Sequence, residues 1–231
     1  MKKLALCCLV AYLAAQTFQQ YVFAVLSAAG DDAAAWRATL DPLNRARAFA
    51  LLLSFFPLLI AFMVICAQKL RTAPRRAAIA CVFLLLFCVF EIAYRSMEFF
   101  VIDGIWTREL LESTDALVRT TMQERLDVFG DVVRGVYFPL MLTQLTGSVF
   151  LFATTFPAAR ADAFLRLAMS VNALRLVGRL ASTYGGVTWL SAFNDRLYFP
   201  CVLIVFSALI AHLWRSPDSL PHGLDERGTL P

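Results

Sequence analysis

Apolar positions along the chain fall into six long blocks, roughly 3–28, 46–68, 77–102, 135–157, 161–182 and 197–214, each near the twenty or so residues that a helix needs to cross a bilayer. The polar stretches between most of them are short, so the blocks predict an all-α, polytopic bundle of six transmembrane spans over residues 1–215. The connection between the third and fourth blocks is the exception. Leu111, Val118, Met122, Leu126, Phe129 and Val133 recur there at helical spacing among charged residues, predicting an amphipathic helix over about 107–133. Such a helix either lies on the outer membrane surface or runs straight into span four. Pro57 falls inside span two and should kink it, whereas Pro139 and Pro200 fall near the outer starts of spans four and six, where proline costs little. The last residues, 216–231, are polar and proline-rich and read as a disordered cytoplasmic tail.

Composition turns this pattern into a membrane assignment. Hydrophobic residues make up 60% of the 231 positions and charged ones 16%, with a mean hydropathy of +0.67, outside the range of soluble domains. The basic start "MKKLALCC" resembles a signal peptide, but the apolar run after it is too long for a signal core and reads as an uncleaved first span. Lys2 and Lys3 precede span one, and Lys69, Arg71, Arg75 and Arg76 lie between spans two and three, which puts both segments in the cytoplasm. The segment after span three holds seven acidic residues from Asp103 to Asp131 against Arg108, Arg119, Arg125 and Arg134, and suits the outer face. Six spans return the C-terminus to the inside, and the expected location is a bacterial inner (plasma) membrane.

Several chemistries drop out at once. All six cysteines lie in or beside apolar spans and read as small buried hydrophobes, not disulfides or ligands. His212 and His222 are the only histidines, one at the inner end of span six and one in the tail, which argues against bis-histidine haem or a histidine metal site. No phosphate loop, nucleophile elbow or zinc-protease helix occurs, and no cofactor or metal is expected. A net charge of +4 spread over the loops offers no surface for nucleic acid.

Within "CVFEIAYRSMEFFVI", Glu91, Arg95 and Glu98 are spaced i, i+4, i+7 on one face of span three. Insertion scales charge roughly 2.5–3.5 kcal/mol for a central Arg or Asp and return only about 0.3–0.6 for each large apolar residue. This face should therefore turn into the bundle. Span five offers Asn172, Arg175 and Arg179 on one face at matching depth and is the expected partner of span three. Gln16 and Gln20 in span one, Gln144 in span four, Tyr94, and Asn194 and Asp195 at the mouth of span six complete a predicted polar pocket in the outer half of the bundle. Tyr94 and Tyr198 also fit as packing or interfacial aromatics, and the glutamines as interhelical hydrogen-bonding groups.

At "AYRSMEFFVI" the chain resembles an uncharacterised bacterial family of six-helix membrane proteins, known only as a domain of unknown function, with an aromatic–Arg–x–x–Glu pattern in its third span. Tyr94, Arg95 and Glu98 match that pattern, and Glu91 departs from it. The resemblance implies six helices and a special role for Arg95 and Glu98, and supplies no activity. Three readings stand beside a purely structural ion-pair network. One is a binding protein, transport-related in its strongest form, that holds a small amphipathic or anionic ligand against Arg95, Arg175 and Arg179. Another is a membrane enzyme using Glu91 and Glu98 as acid and base in isomerising or cyclising an isoprenoid-like lipid. The third is a structural subunit whose outer amphipathic helix docks another membrane protein.

Overall fold

The computed structural model describes residues 1–26, 32–156 and 159–216, and among these it is all-helical with no strand. The helices are α1 (Lys2–Val25), α2 (Asp32–Leu40), α3 (Pro42–Leu70), α4 (Pro74–Met97), α5 (Thr107–Glu112), α6 (Ala116–Phe152), α7 (Arg160–Tyr184) and α8 (Trp189–Arg215), with a π-helical segment, Glu98–Trp106, between α4 and α5. The tail beyond Ser216, with His222, lies outside the described residues. Helix starts follow local chemistry. The Asp41 carboxylate accepts the Leu43 N–H at 2.8 Å with Pro42 in the first turn of α3, and Asp115 does the same for Leu117 at 2.8 Å at the start of α6.

Among the described residues, five helical stretches are long and apolar enough to cross a membrane: α1, α3, the continuous run from α4 through α5, α6 and α8. Helix α7 has the length, 25 residues, but Asp162, Arg166, Arg175 and Arg179 interrupt its apolar sequence. Short connections make sequential long helices antiparallel neighbours, so α1 packs on α3, α3 on α4, α4 on α6, α6 on α7 and α7 on α8. Packing of α8 on α1 then closes the ring. The Lys2 ammonium donates to the Ser216 carbonyl at 2.5 Å, which brings the first and last described turns to one end of the bundle. Tyr12, Phe55, Phe87 and Phe206 fill the centre, with Tyr12 4.5 Å from Phe206 and 5.6 Å from Phe55 between ring centroids.

The run from Pro74 to Glu112 is 39 residues long and α6 is 37, each roughly 55–60 Å at 1.5 Å per residue against about 30 Å of hydrocarbon. These two stretches therefore exceed the bilayer and form a helical hairpin that turns at residues 113–115. Ile102, Leu110, Met122 and Leu126 make a second small core there, with Trp36 of α2, Trp106, Val118 and Phe129 packed on it. The amphipathic helix expected over 107–133 is thus two helices, broken at Ser113, and its second part continues unbroken into the fourth block. Pro139 and Pro200 also lie inside α6 and α8, because both helices begin well before their apolar blocks.

Candidate functional site: a polar layer inside the ring

The polar face of α4 turns inward. Arg95 lies between the two glutamates, its Nη1 2.7 Å from Glu98 Oε2 and its Nε 3.4 Å from Glu91 Oε2. Both predicted carboxylates thus share one guanidinium, where the acid–base reading calls for one paired and one unpaired. Glu91 is buried, while the Glu98 side chain is 26% exposed. The Arg95 guanidinium also stands 4.8 Å from the centroid of the Tyr94 ring, which meets Tyr137 edge-on at 5.3 Å.

Helix α7 contributes a second polar group. Arg175 Nη2 donates to Gln144 Oε1 at 3.3 Å and Asn172 Oδ1 at 3.1 Å, and the guanidinium lies 5.4 Å from the Tyr198 ring centroid. Asn172 Nδ2 in turn donates to Ser148 Oγ at 2.8 Å, and the Tyr198 hydroxyl to Gln16 Oε1 at 3.1 Å. One layer of side chains thereby ties α1, α6, α7 and α8 together. No carboxylate among the described residues lies within ion-pair distance of Arg175, although Glu91 is within its electrostatic reach.

The expected direct partnership of the third and fifth blocks does not form, because α6 lies between α4 and α7 in the ring. Arg179 turns to Asp195 at 2.6 Å, in an exposed pair at the mouth of α7 and α8. Beside it Asn194 Nδ2 donates to Ser182 Oγ at 3.1 Å, and a Cβ at Gly178 would come within 2.9 Å of Asn194 Oδ1. Gln16 is fully buried, whereas Gln20 is half-buried and joins none of these bonds. Two surface clefts among the described residues lie away from this layer. One, of about 400 Å³, runs between α1 and α3; the other, of about 420 Å³, lies on the hairpin at Leu110, Arg119 and Gln123.

Some polar residues gave no usable sequence signal. Lys69 of α3 forms a buried ion pair with Asp162 of α7, and Asp162 Oδ2 also accepts the Phe156 N–H at 2.9 Å. His212, expected at the membrane interface, is buried beside this pair, its Nδ1 2.9 Å from the Ala161 carbonyl. At the opposite end, Arg47 of α3 reaches Gln19 of α1. These partners sit far apart in sequence, and only the ring closure brings them together. All six cysteines are free; Cys8, Cys66 and Cys88 are buried and Cys81 and Cys201 half-buried, whereas Cys7, expected to be buried, is exposed on the side of α1 away from its neighbours, and no cluster of metal-ligating side chains occurs among the described residues.

No protein-family model, curated protein or solved structure matches the chain. Its functional reading therefore rests on the polar layer itself.

Proposed function

We propose that the protein is a six-span inner-membrane protein of bacterial type, with both ends cytoplasmic, that binds an anionic amphipathic small molecule in the outer half of the ring. The observation that carries this reading is the unequal pairing of the intramembrane charges. Arg95 holds both glutamates, while Arg175 rests on amide oxygens and an aromatic face and keeps its Nε and Nη1 donors unused in the hydrogen bonds described. Each of these free N–H groups can donate a charge-assisted hydrogen bond to an oxygen of a carboxylate or phosphate. The exposed Arg179–Asp195 pair at the mouth of α7 and α8 marks the end of the bundle from which an anionic ligand would enter in this reading. The ring position of α7, between α6 and α8, supports its being the fifth of six spans despite its charges.

A structural reading has its own support. Two glutamates and two arginines balance in charge, and the clefts at α1/α3 and at Leu110, Arg119 and Gln123 are lined by no residue of the layer. Thermal unfolding of the detergent-purified protein against fatty acids, isoprenyl phosphates and anionic phospholipids separates the two. Under the binding reading, at least one anionic amphiphile raises the midpoint of the wild type and not of Arg175→Gln, with the two proteins equally stable alone. Loss of several degrees by the unliganded variant, with no amphiphile having an effect on either, would instead make the layer a device for fixing helix register.

A further inference from the structure

One helical turn beyond the residues that line the cleft between α1 and α3 stands a buried arginine, Arg47. The cleft is lined by Ala11, Ala14, Ala15 and Phe18 on α1 and by Ala50, Leu53, Ser54 and Pro57 on α3, and its walls are almost wholly apolar. Alanines at four of these positions leave the space that larger side chains would fill. On α3 the lining residues Ala50, Ser54 and Pro57 continue a stripe that starts at Arg47, at spacings of three and four. Helix α1 runs the other way, so Gln19 and Phe23 stand beside Arg47 one turn beyond Ala15 and Phe18.

Arg47 is buried, yet it has no carboxylate at ion-pair distance among the described residues. Its Nε donates to Asn44 Oδ1 at 2.7 Å, its Nη1 reaches Gln19 Oε1 at 3.4 Å, and its guanidinium lies 4.8 Å from the Phe23 ring centroid. Glu98 and Asp103 act on it through space, as does the like charge of Arg95. Glu98 is already engaged by Arg95, and Arg45, stacked on Phe99, adds a further positive charge on the same turn of α3. Arg47 lies five residues into a 29-residue helix, where the apolar block begins and lipid headgroups meet hydrocarbon.

We propose that this seam is a binding site for an anionic amphiphile, with one hydrocarbon chain in the α1/α3 cleft and its phosphate or carboxylate on Arg47. The site is separate from the polar layer at Arg175 and stands or falls independently of it. An apolar trough open sideways to lipid accepts a chain, and a headgroup-level guanidinium bonded only to amides selects a negative charge. The chemistry is common to an anionic phospholipid and a free fatty acid.

The test is lipid retention by native mass spectrometry of the full chain released from micelles containing dioleoyl phosphatidylglycerol, dioleoyl phosphatidylcholine or oleate. Wild type should retain one phosphatidylglycerol or one oleate in preference to phosphatidylcholine. Arg47→Gln should lower that preference about tenfold or more, the effect of losing a charge-assisted contact, while Arg47→Lys keeps most of it. Ala14→Phe, at an exposed alanine on the cleft wall, should reduce retention of all three with Arg47 intact. Preference for oleate alone identifies the fatty acid as the source, and preference for phosphatidylglycerol alone identifies the phospholipid. Equal retention of anionic and zwitterionic lipids by wild type, a preference that survives Arg47→Gln, or retention unchanged by Ala14→Phe overturns the proposal. The same shifts with Arg47→Gln and Ala14→Phe should appear in an Arg175→Gln background, where the polar-layer site is disabled, so failure at one site is distinguishable from failure at the other.

Discussion

At the scale of single residues, the ring depends on one close approach between α4 and α6. A Cβ built on Gly147 would lie 2.7 Å from Leu84 Cγ, 2.9 Å from its Cδ2 and 3.2 Å from its backbone nitrogen. Glycine here is a matter of space, since Gly147 is in ordinary helix and its φ needs no special freedom. Gly147→Ala should therefore destabilise the protein by about 1–3 kcal/mol, the usual cost of overpacking a fitted core. The same change at Gly130 or Gly135, on the same helix with nothing within 4 Å, should be neutral or stabilise by up to about 1 kcal/mol through better helix propensity. Denaturant or thermal unfolding in one detergent checks all three, and equal effects would mean that α4 and α6 are not in this contact. The contrast was not legible in the sequence, where all three glycines look alike. Glu91, Arg95 and Glu98 were legible, because charges in an apolar run must find each other and the helical spacing names the partners.

At the scale of elements, apolar run length identified the long helices, but their ends and irregularities escaped it. Helix α2 is nine residues of mixed composition, "DAAAWRATL", and gains its place from Trp36 packing on the core of the hairpin. The break at Ser113 falls in polar sequence between two helical patterns that share a period. The π-helical segment from Glu98 to Trp106 is the least visible of all, because "EFFVIDGIW" reads as the end of an ordinary span. Such segments arise where residues in excess of the α repeat are accommodated, often beside functional groups, and this one begins at Glu98, the closer partner of Arg95. It sets the rotation of everything beyond it. Deleting Phe100, which is 57% exposed, should turn the downstream stretch by about 100° and carry Ile102 and Leu110 off Met122 and Leu126. The expected outcome is a hairpin cut readily by protease between residues 107 and 133, with the transmembrane ring still folded. Unchanged resistance of that hairpin would show that the π geometry does not govern its register.

At the scale of the whole molecule, the ring makes a topological prediction that hydropathy alone cannot make. Hydropathy recognises five helices and passes over α7, because the side chains that depress its average are the ones that meet other helices: Asp162 pairs with Lys69, Asn172 with Ser148, and Arg175 with Gln144. A helix whose polar groups are satisfied inside a bundle can span with less apolar sequence than one facing lipid all round. Lys2 beside Ser216, Arg76 donating to the Ala153 carbonyl at 2.8 Å, and Lys69 against Asp162 all gather at one end, the end that the basic residues assign to the cytoplasm. Single cysteines introduced into a cysteine-free background at Arg75, Thr188 and Ser216 distinguish five crossings from six. With six, a membrane-impermeant maleimide added to intact cells labels Thr188→Cys and labels the other two only after permeabilisation. With five, α7 does not cross, so position 188 stays on the side of Ala159, shielded with Arg75→Cys, and Ser216→Cys becomes the labelled site. Labelling at 188 would also require Arg175 to lie within the bilayer, where a guanidinium supported only by amides and a tyrosine ring is costly without a counter-charge, and where the binding reading has its physical basis.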